Sequence, residues 1–348
     1  MYPYPYQPGG SPAPNFPSRP GAPGAPAWRP DPYREELFRA QTAEQRILRR
    51  RSSWTGWAVL ASLLLLNVLF TGCFLLLPTA ENSAAYFMEV TFAYTISFAL
   101  SALLLAKALN MPLDAALPMQ KTGVLTAIAA VLFGAAACNL ANYPANIVAM
   151  LLDSAGLSGA VPEYGVDGSP LTSVFLVLAS CVVPALVEEF LYRGVILRAL
   201  MRFGTGFAIL TSSLLFALMH GNLSQIIFAF PLGLLFAILV VRTGNLWITI
   251  VVHFLNNFLS SLYLIVSATA GTQAADLYST IFPPVLWVLG AVGLAYLLIH
   301  SRGTFFRLSP PRTLLPNSMK ASGFFGNPGV ILFLCYTAFS CVLYLIPS

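Results

Sequence analysis

Two adjacent carboxylates, Glu188 and Glu189, lie inside the apolar stretch VPALVEEFLYRGVIL, with Arg193 four residues after Glu189. An ionisable side chain within hydrocarbon is costly and marks a functional site by default. On a helix, Glu189 and Arg193 share a face in the order that favours an ion pair. Glu188 points about 100° away and is left for chemistry. Two more apolar stretches carry histidines: FALMH runs from Phe216 to His220, and HFLNN sets His253 and Asn257 four residues apart on one helix face. Glu188 lies 16 residues before Gly204 and His220 lies 16 after it. An antiparallel hairpin turning at Gly204 therefore brings both to the same height.

Glu188, His220, His253 and Asn257 converging from three helices support two chemistries. In one, Glu188 is a general base that takes a proton from water, His220 orients that water, and His253 and Asn257 donate hydrogen bonds to the oxyanion on a scissile carbonyl. In the other, Glu188, His220 and His253 hold a Zn²⁺ that activates the water. The helical H-E-x-x-H arrangement is missing, so the residues do not decide for a metal; the glutamate reading, with no cofactor, is preferred.

The elements that must position these groups are membrane helices. Of 348 residues, 57% are hydrophobic and only 9% are charged, against about 25% charged in a soluble domain. Mean hydropathy is +0.75. The apolar runs fall at roughly 54–78, 85–108, 122–152, 171–201, 205–220, 222–241, 245–267, 281–299 and 328–346. They are continuous rather than alternating, so they predict an all-α polytopic bundle of eight or nine spans, not a barrel. The domain reading is a Pro-rich disordered tail over 1–32, a basic juxtamembrane helix over 33–52, three spans over 53–168, a catalytic core over 169–265 and two further spans over 266–348. The first apolar run is long enough to serve as its own insertion signal.

The cluster Arg46, Arg49, Arg50 and Arg51 sets the N-terminus in the cytoplasm. Alternation then places Lys107, Lys121, Arg198, Arg202, Arg242, Arg302, Arg307, Arg312 and Lys320 inside as well. Glu81, Asp153, Glu163, Asp167 and Asp276 fall outside. The net charge of +5 thus reports orientation, and no basic patch interleaved with aromatics points to nucleic acid. Arg198 and Arg202 suggest that the Gly204 hairpin protrudes into the cytoplasm, which would bring the site nearer to cytosolic water. The partners implied are the lipid bilayer and a membrane-associated substrate; oligomeric state is not legible.

These residues resemble the CPBP family of intramembrane proteins, which groups CAAX prenyl proteases with bacteriocin-processing and Abi-type proteins. Its motifs E-E-x-x-x-R, F-x-x-x-H and H-x-x-x-N fall here on Glu188, Glu189 and Arg193, on Phe216 and His220, and on His253 and Asn257. The resemblance spans about residues 170–262. It implies endopeptidase activity at or within the membrane, on a prenylated protein in eukaryotic members and on bacteriocin-like or pheromone peptides in bacterial ones. It makes Glu188, His220, His253 and Asn257 catalytic, with Glu189, Arg193 and Phe216 in support, and points to a bacterial inner membrane. Two other classes stay open: an immunity or scaffold protein that keeps the motifs without cleaving, and a proton-coupled transporter using Glu188 and His220 as a relay.

Structural readings suit the remaining polar positions. Glu89 and His300 read as interfacial. Asn139, Asn142, Tyr143 and Pro144 read as a kink, with a substrate gap as the alternative. Cys73, Cys138, Cys181, Cys335 and Cys341 read as small buried hydrophobes.

Overall fold

The computed structural model describes residues 31–159, 165–311 and 313–346; the Pro-rich tail reading, Glu163 and Arg312 lie outside them. The long helices are α1 (Pro32–Leu76), α2 (Ala84–Ala108), α3 (Val124–Ser154), α4 (Pro170–Phe203), α5 (Thr205–Leu218), α6 (Leu223–Thr243), α7 (Leu246–Ala270), α8 (Thr272–His300), α9 (Asn317–Phe325) and α10 (Pro328–Tyr344). Among the described residues there is no strand, only one isolated bridge between Met119 and Asn245. Residues up to Ala40 form one unit and Gln41–Ser348 another. In the first, Arg39 pairs with Glu35 at 2.5 Å on the exposed start of α1.

Seven of these helices are long and apolar enough to cross a membrane, and the α9–α10 pair, bent by 69°, makes an eighth if it counts as one span. That agrees with the expected eight or nine; the apolar run 205–220 is the one too short to count by length. Helix α5 has 14 residues and is roughly 21 Å long at 1.5 Å per residue, short of the ~30 Å hydrocarbon core.

The two ends of the bundle are chemically distinct, and hydrogen bonds define them. At one end Arg49 donates to the Gly326 carbonyl, Arg51 to that of Ala199, Arg198 to that of Ala115 and Arg242 to that of Arg307. At the other, Ser158 N–H reaches the Leu345 carbonyl, the Ser224 hydroxyl reaches that of Gly159, and Gly165 N–H reaches the Asn82 side chain. This second end carries Glu81, Asp153, Asp167 and Asp276 and, among the described residues, no Lys or Arg. It also starts α4: Ser169 caps the helix by accepting from Thr172 N–H. Asp167 accepts from Ser169 N–H and the Thr172 hydroxyl, which holds its carboxyl below the usual range.

Close helix approach in lipid relies on small residues. Gly290 of α8 faces Ala136 of α3, and a side chain at Gly293 would meet the Ala129 carbonyl. Trp287 N–H donates to Asn139 on the same seam. Two sequence readings change here. Glu89 is buried rather than interfacial, because α2 packs its outer half against the first turns of α4. Of the cysteines only Cys138 and Cys181 are buried; Cys335 is exposed on the outer face of α10. His300 is exposed and stacks on Tyr296.

Gly293→Val should lower the unfolding midpoint of detergent-purified protein by the ~1–3 kcal/mol that overpacking costs. Gly72→Ala, where the added carbon meets open space, should leave it unchanged. Equal behaviour of the two would show that α3 and α8 do not meet through these glycines.

Candidate active site

Helix α4 departs from α-helical winding twice around the two carboxylates. Leu178–Val182 and Phe190–Ile196 form π turns, with Val183 N–H bonded to the Leu178 carbonyl and Leu197 N–H to that of Tyr192. Each such turn inserts a residue and rotates the face that follows. Glu188 and Glu189 themselves sit in the regular stretch Val183–Glu189 between the two turns, and with Arg193 they are buried, at 3%, 0% and 1% exposure.

Arg193 Nη1 lies 2.7 Å from Glu189 Oε1, and its Cζ sits 4.0 Å over the Phe216 ring and 5.0 Å from that of Phe236. A guanidinium held by one carboxylate and two aromatic faces keeps partners on several sides in place of water. The same Glu189 oxygen accepts from His253 Nδ1 at 3.1 Å. A carboxylate paired with Arg193 can only accept, so His253 is protonated on Nδ1, and in its neutral form it presents the Nε2 lone pair. That Nε2 lies 3.9 Å from Glu188 Oε2.

His220 is fixed in the same sense by its own helix. Its Nδ1 lies 3.0 Å from the Phe216 carbonyl and 3.2 Å from that of Ala217. Carbonyls only accept, so Nδ1 is protonated and Nε2 again keeps its lone pair. The Phe216 ring stands edge-on to both imidazoles, with centroids 5.4 Å from His220 and 6.0 Å from His253. His220 is in electrostatic contact with Glu188 and His253. Phe216 thus serves as the spacer that sets both histidines and covers Arg193.

Asn257 is engaged differently from the oxyanion donor expected. Its Nδ2 donates to the Ser180 carbonyl at 2.8 Å, and its Oδ1 accepts from Asn256 at 2.9 Å. The reason is local: Pro184 has no N–H to offer the carbonyl four residues back, and the Asn257 amide supplies it. One Asn257 N–H remains for a ligand.

Reasoning from the sequence missed three parts of this arrangement. Tyr94 of α2 donates its hydroxyl to Glu188 Oε1, so the carboxylate is not wholly free. Its other oxygen is buried with no hydrogen-bond partner. Phe236 of α6 is the second ring beside Arg193 and also packs on His253, at 5.7 Å. Pro184 creates the carbonyl that Asn257 satisfies. A tyrosine among Thr91, Thr95 and Ser97 in an apolar span was a readable signal; Phe236 was one phenylalanine among 25.

Arg193→Met strands a buried carboxylate and should cost about 3–5 kcal/mol of stability. Arg193→Met with Glu189→Gln should recover part of the loss; a thermal melt showing no recovery would contradict the pair. Asn257→Leu should cost about 1–3 kcal/mol by orphaning the Ser180 carbonyl. That cost should shrink in a Pro184→Ala background, which restores the N–H, and an unchanged cost there would show that Asn257 holds something else.

Residues 170–259 match the family model described as Type II CAAX prenyl endopeptidase Rce1-like. The "Putative membrane peptidase YdiL" of Bacillus subtilis (strain 168) is 31% identical over 120 residues, which cover 30% of this chain and 49% of that protein. The chain therefore spans about half the length of the curated relative it matches. No solved structure matches it. The three motifs, on α4, α5 and α7, all fall inside the segment that the family model covers: through residues 170–259 this membrane protein is similar to the CAAX-protease-like proteins.

Proposed function

We propose that this protein is an intramembrane endopeptidase that cleaves a membrane-associated or lipidated peptide or protein with water activated by Glu188, and that residues 169–265 are its catalytic core. The observation that carries the reading is the pair of facing acceptors, Glu188 Oε2 and His253 Nε2, 3.9 Å apart in a buried site. One water donating to both would have its oxygen lone pairs turned toward a third group, the scissile carbonyl carbon.

The proton inventory closes with these residues. Glu188 takes a proton from water as the oxygen bonds to the carbonyl carbon. The second N–H of Asn257 is the donor on hand for the oxyanion. Collapse of the tetrahedral species breaks the C–N bond, and the proton on Glu188 passes, directly or through His253 Nε2, to the leaving amine. Glu189 stabilises His253 if it carries that proton, and Tyr94 holds Glu188 in its rotamer. His253 is thereby a proton carrier rather than an oxyanion donor, because its Nδ1 proton is committed to Glu189. His220 orients the water from the other side of Phe216.

A metal-dependent reading draws on the donor types: two imidazoles with free Nε2 lone pairs and one carboxylate suit Zn²⁺. Among the described residues, however, no three His, Cys, Asp or Glu side chains are gathered closely enough to hold an ion. No step above needs a metal.

The test is cleavage of a lipidated or transmembrane peptide by the purified protein in liposomes. Glu188→Gln and His220→Ala should each lower kcat/KM by 10²-fold or more, the scale of general acid–base catalysis, with unfolding midpoints near that of the native chain. Tyr94→Phe should lower kcat without a comparable rise in KM. Cleavage that survives Glu188→Gln would remove the carboxylate from the reaction. Activity lost to a chelator and restored by Zn²⁺ would favour the metal reading. Proton flux without cleavage would favour a transporter.

A further inference from the structure

Beyond the reacting groups, the bundle holds a cavity of about 830 Å³ among α3, α4, α6, α7 and α8. Its walls are unlike the rest of the membrane interior. Asn139, Asn142 and Asn146 come from α3, Gln225 from the first turn of α6, and Asn256 and Asn257 from α7. An amide side chain in a membrane span is costly unless it faces water, a ligand or another polar group. Several of these amides keep hydrogen-bonding capacity unused within the protein. Among the described residues, the exposed Asn146 has no hydrogen-bond partner, and neither the Asn256 side-chain oxygen nor the Gln225 side-chain nitrogen takes part in a hydrogen bond.

The cavity has a direction. Its inner wall is Ser180 and Asn257, and Asn257 lies one turn from His253 on α7. Its outer members are Asp153, Gly159 and Ser224, which belong to the acidic end of the bundle. Toward the basic end this cavity does not continue, and α4 is packed there against a neighbouring segment. The short turn Leu113–Ala116 tucks under α4, and a side chain at Gly194 would collide with the Ala116 carbonyl. Ala116 itself is fully buried. Glu188 is only six residues from Gly194, roughly 9 Å along the helix, yet the polar approach to it runs from the far side.

The geometry points to a peptide groove entered from the acidic end: an extended substrate segment lies along the amide-lined cavity, its main-chain N–H and C=O groups paired with Asn146, Gln225 and Asn256, and delivers its scissile bond past Asn257 to Glu188. Primary amides offer both donors and acceptors and so match a peptide backbone irrespective of sequence. The lining contains no Lys or Arg and has Asp153 at its mouth. Acidic substrate residues are therefore disfavoured there. Because basic ends face the cytoplasm, the substrate is presented from the opposite side of the membrane. This inference rests on the proposed peptidase reading for the bond that is cut, but the groove and its side can be tested without turnover.

Asn146→Cys in the full chain, expressed in intact cells, is labelled with a membrane-impermeant maleimide; the native chain, whose cysteines are all free, sets the background. Ser309→Cys, at the basic end, is the control. Asn146→Cys should label in intact cells, Ser309→Cys only after permeabilisation, and a cleavable transmembrane peptide should protect the former. Labelling of Asn146→Cys only after permeabilisation, or no protection by peptide, would overturn the groove. In the liposome assay, Asn146→Leu should raise KM several-fold with kcat little changed; a fall in kcat alone would also count against it. Loss of the Glu188→Gln effect with labelling and protection intact would instead sink the peptidase reading and leave a peptide-binding groove standing.

Discussion

One carboxylate oxygen, Glu189 Oε1, holds both the Arg193 guanidinium and the Nδ1 proton of His253 in a part of the protein where water is scarce. The rest of the site depends on that double bond. A buried charge pair breaks even at best against its desolvation cost, so its value here is specification rather than stability. It ties α4 to α7, fixes which nitrogen of His253 carries the proton, and aims the Nε2 lone pair at Glu188. Arg193 in turn lies against Phe216 and Phe236, which draws α5 and α6 to the same point. Four helices are thereby registered by one ionic contact, and Glu188, held by Tyr94 through one oxygen, turns the other toward His253.

Irregularity in α4 is what allows two neighbouring glutamates to serve two roles. Pro184 removes an N–H, two π turns rotate the faces on either side, and Asn257 replaces the missing donor from another helix. These are local departures from good helix geometry that the surrounding bundle must over-determine. The neighbouring seams supply that: Ala- and Gly-lined contacts between α3 and α8 bring backbones close together. In the wider gap between α3, α7 and α8 toward the acidic end, amides join the apolar side chains in lining the walls.

Much of this was legible in the sequence because hydrocarbon leaves few choices. Long apolar runs had to be helices, and the alternation of basic and acidic connections marked the two ends. Charges and imidazoles inside spans announced the site. The i, i+4 relation of Glu189 and Arg193 needed only helix geometry. What could not be read was whatever depended on side chains meeting across helices. Tyr94 looks like any span tyrosine until α2 is laid against α4. Asn257 has the spacing of an oxyanion donor, and that one of its two N–H groups is committed to the Ser180 carbonyl shows only when α7 is laid against α4. The short α5 read as a span because composition does not report length against bilayer thickness within a residue or two. Asn139 and Asn142 read as a kink with a substrate gap as the alternative, and it is α7, which brings Asn256 and Asn257 into the same cavity, that favours the gap.

The central claim is that the protein holds both histidines as Nδ1–H tautomers, so that the His253 lone pair and the Glu188 carboxylate face a reacting water. Nitrogen-15 NMR of selectively labelled histidine in the purified protein reads this directly, with His220→Gln and His253→Gln variants assigning the signals. The account predicts a protonated Nδ1 and an unprotonated Nε2 at both residues near neutral pH, with the His253 pattern lost in Glu189→Gln. A neutral Nε2–H tautomer at either histidine would contradict it.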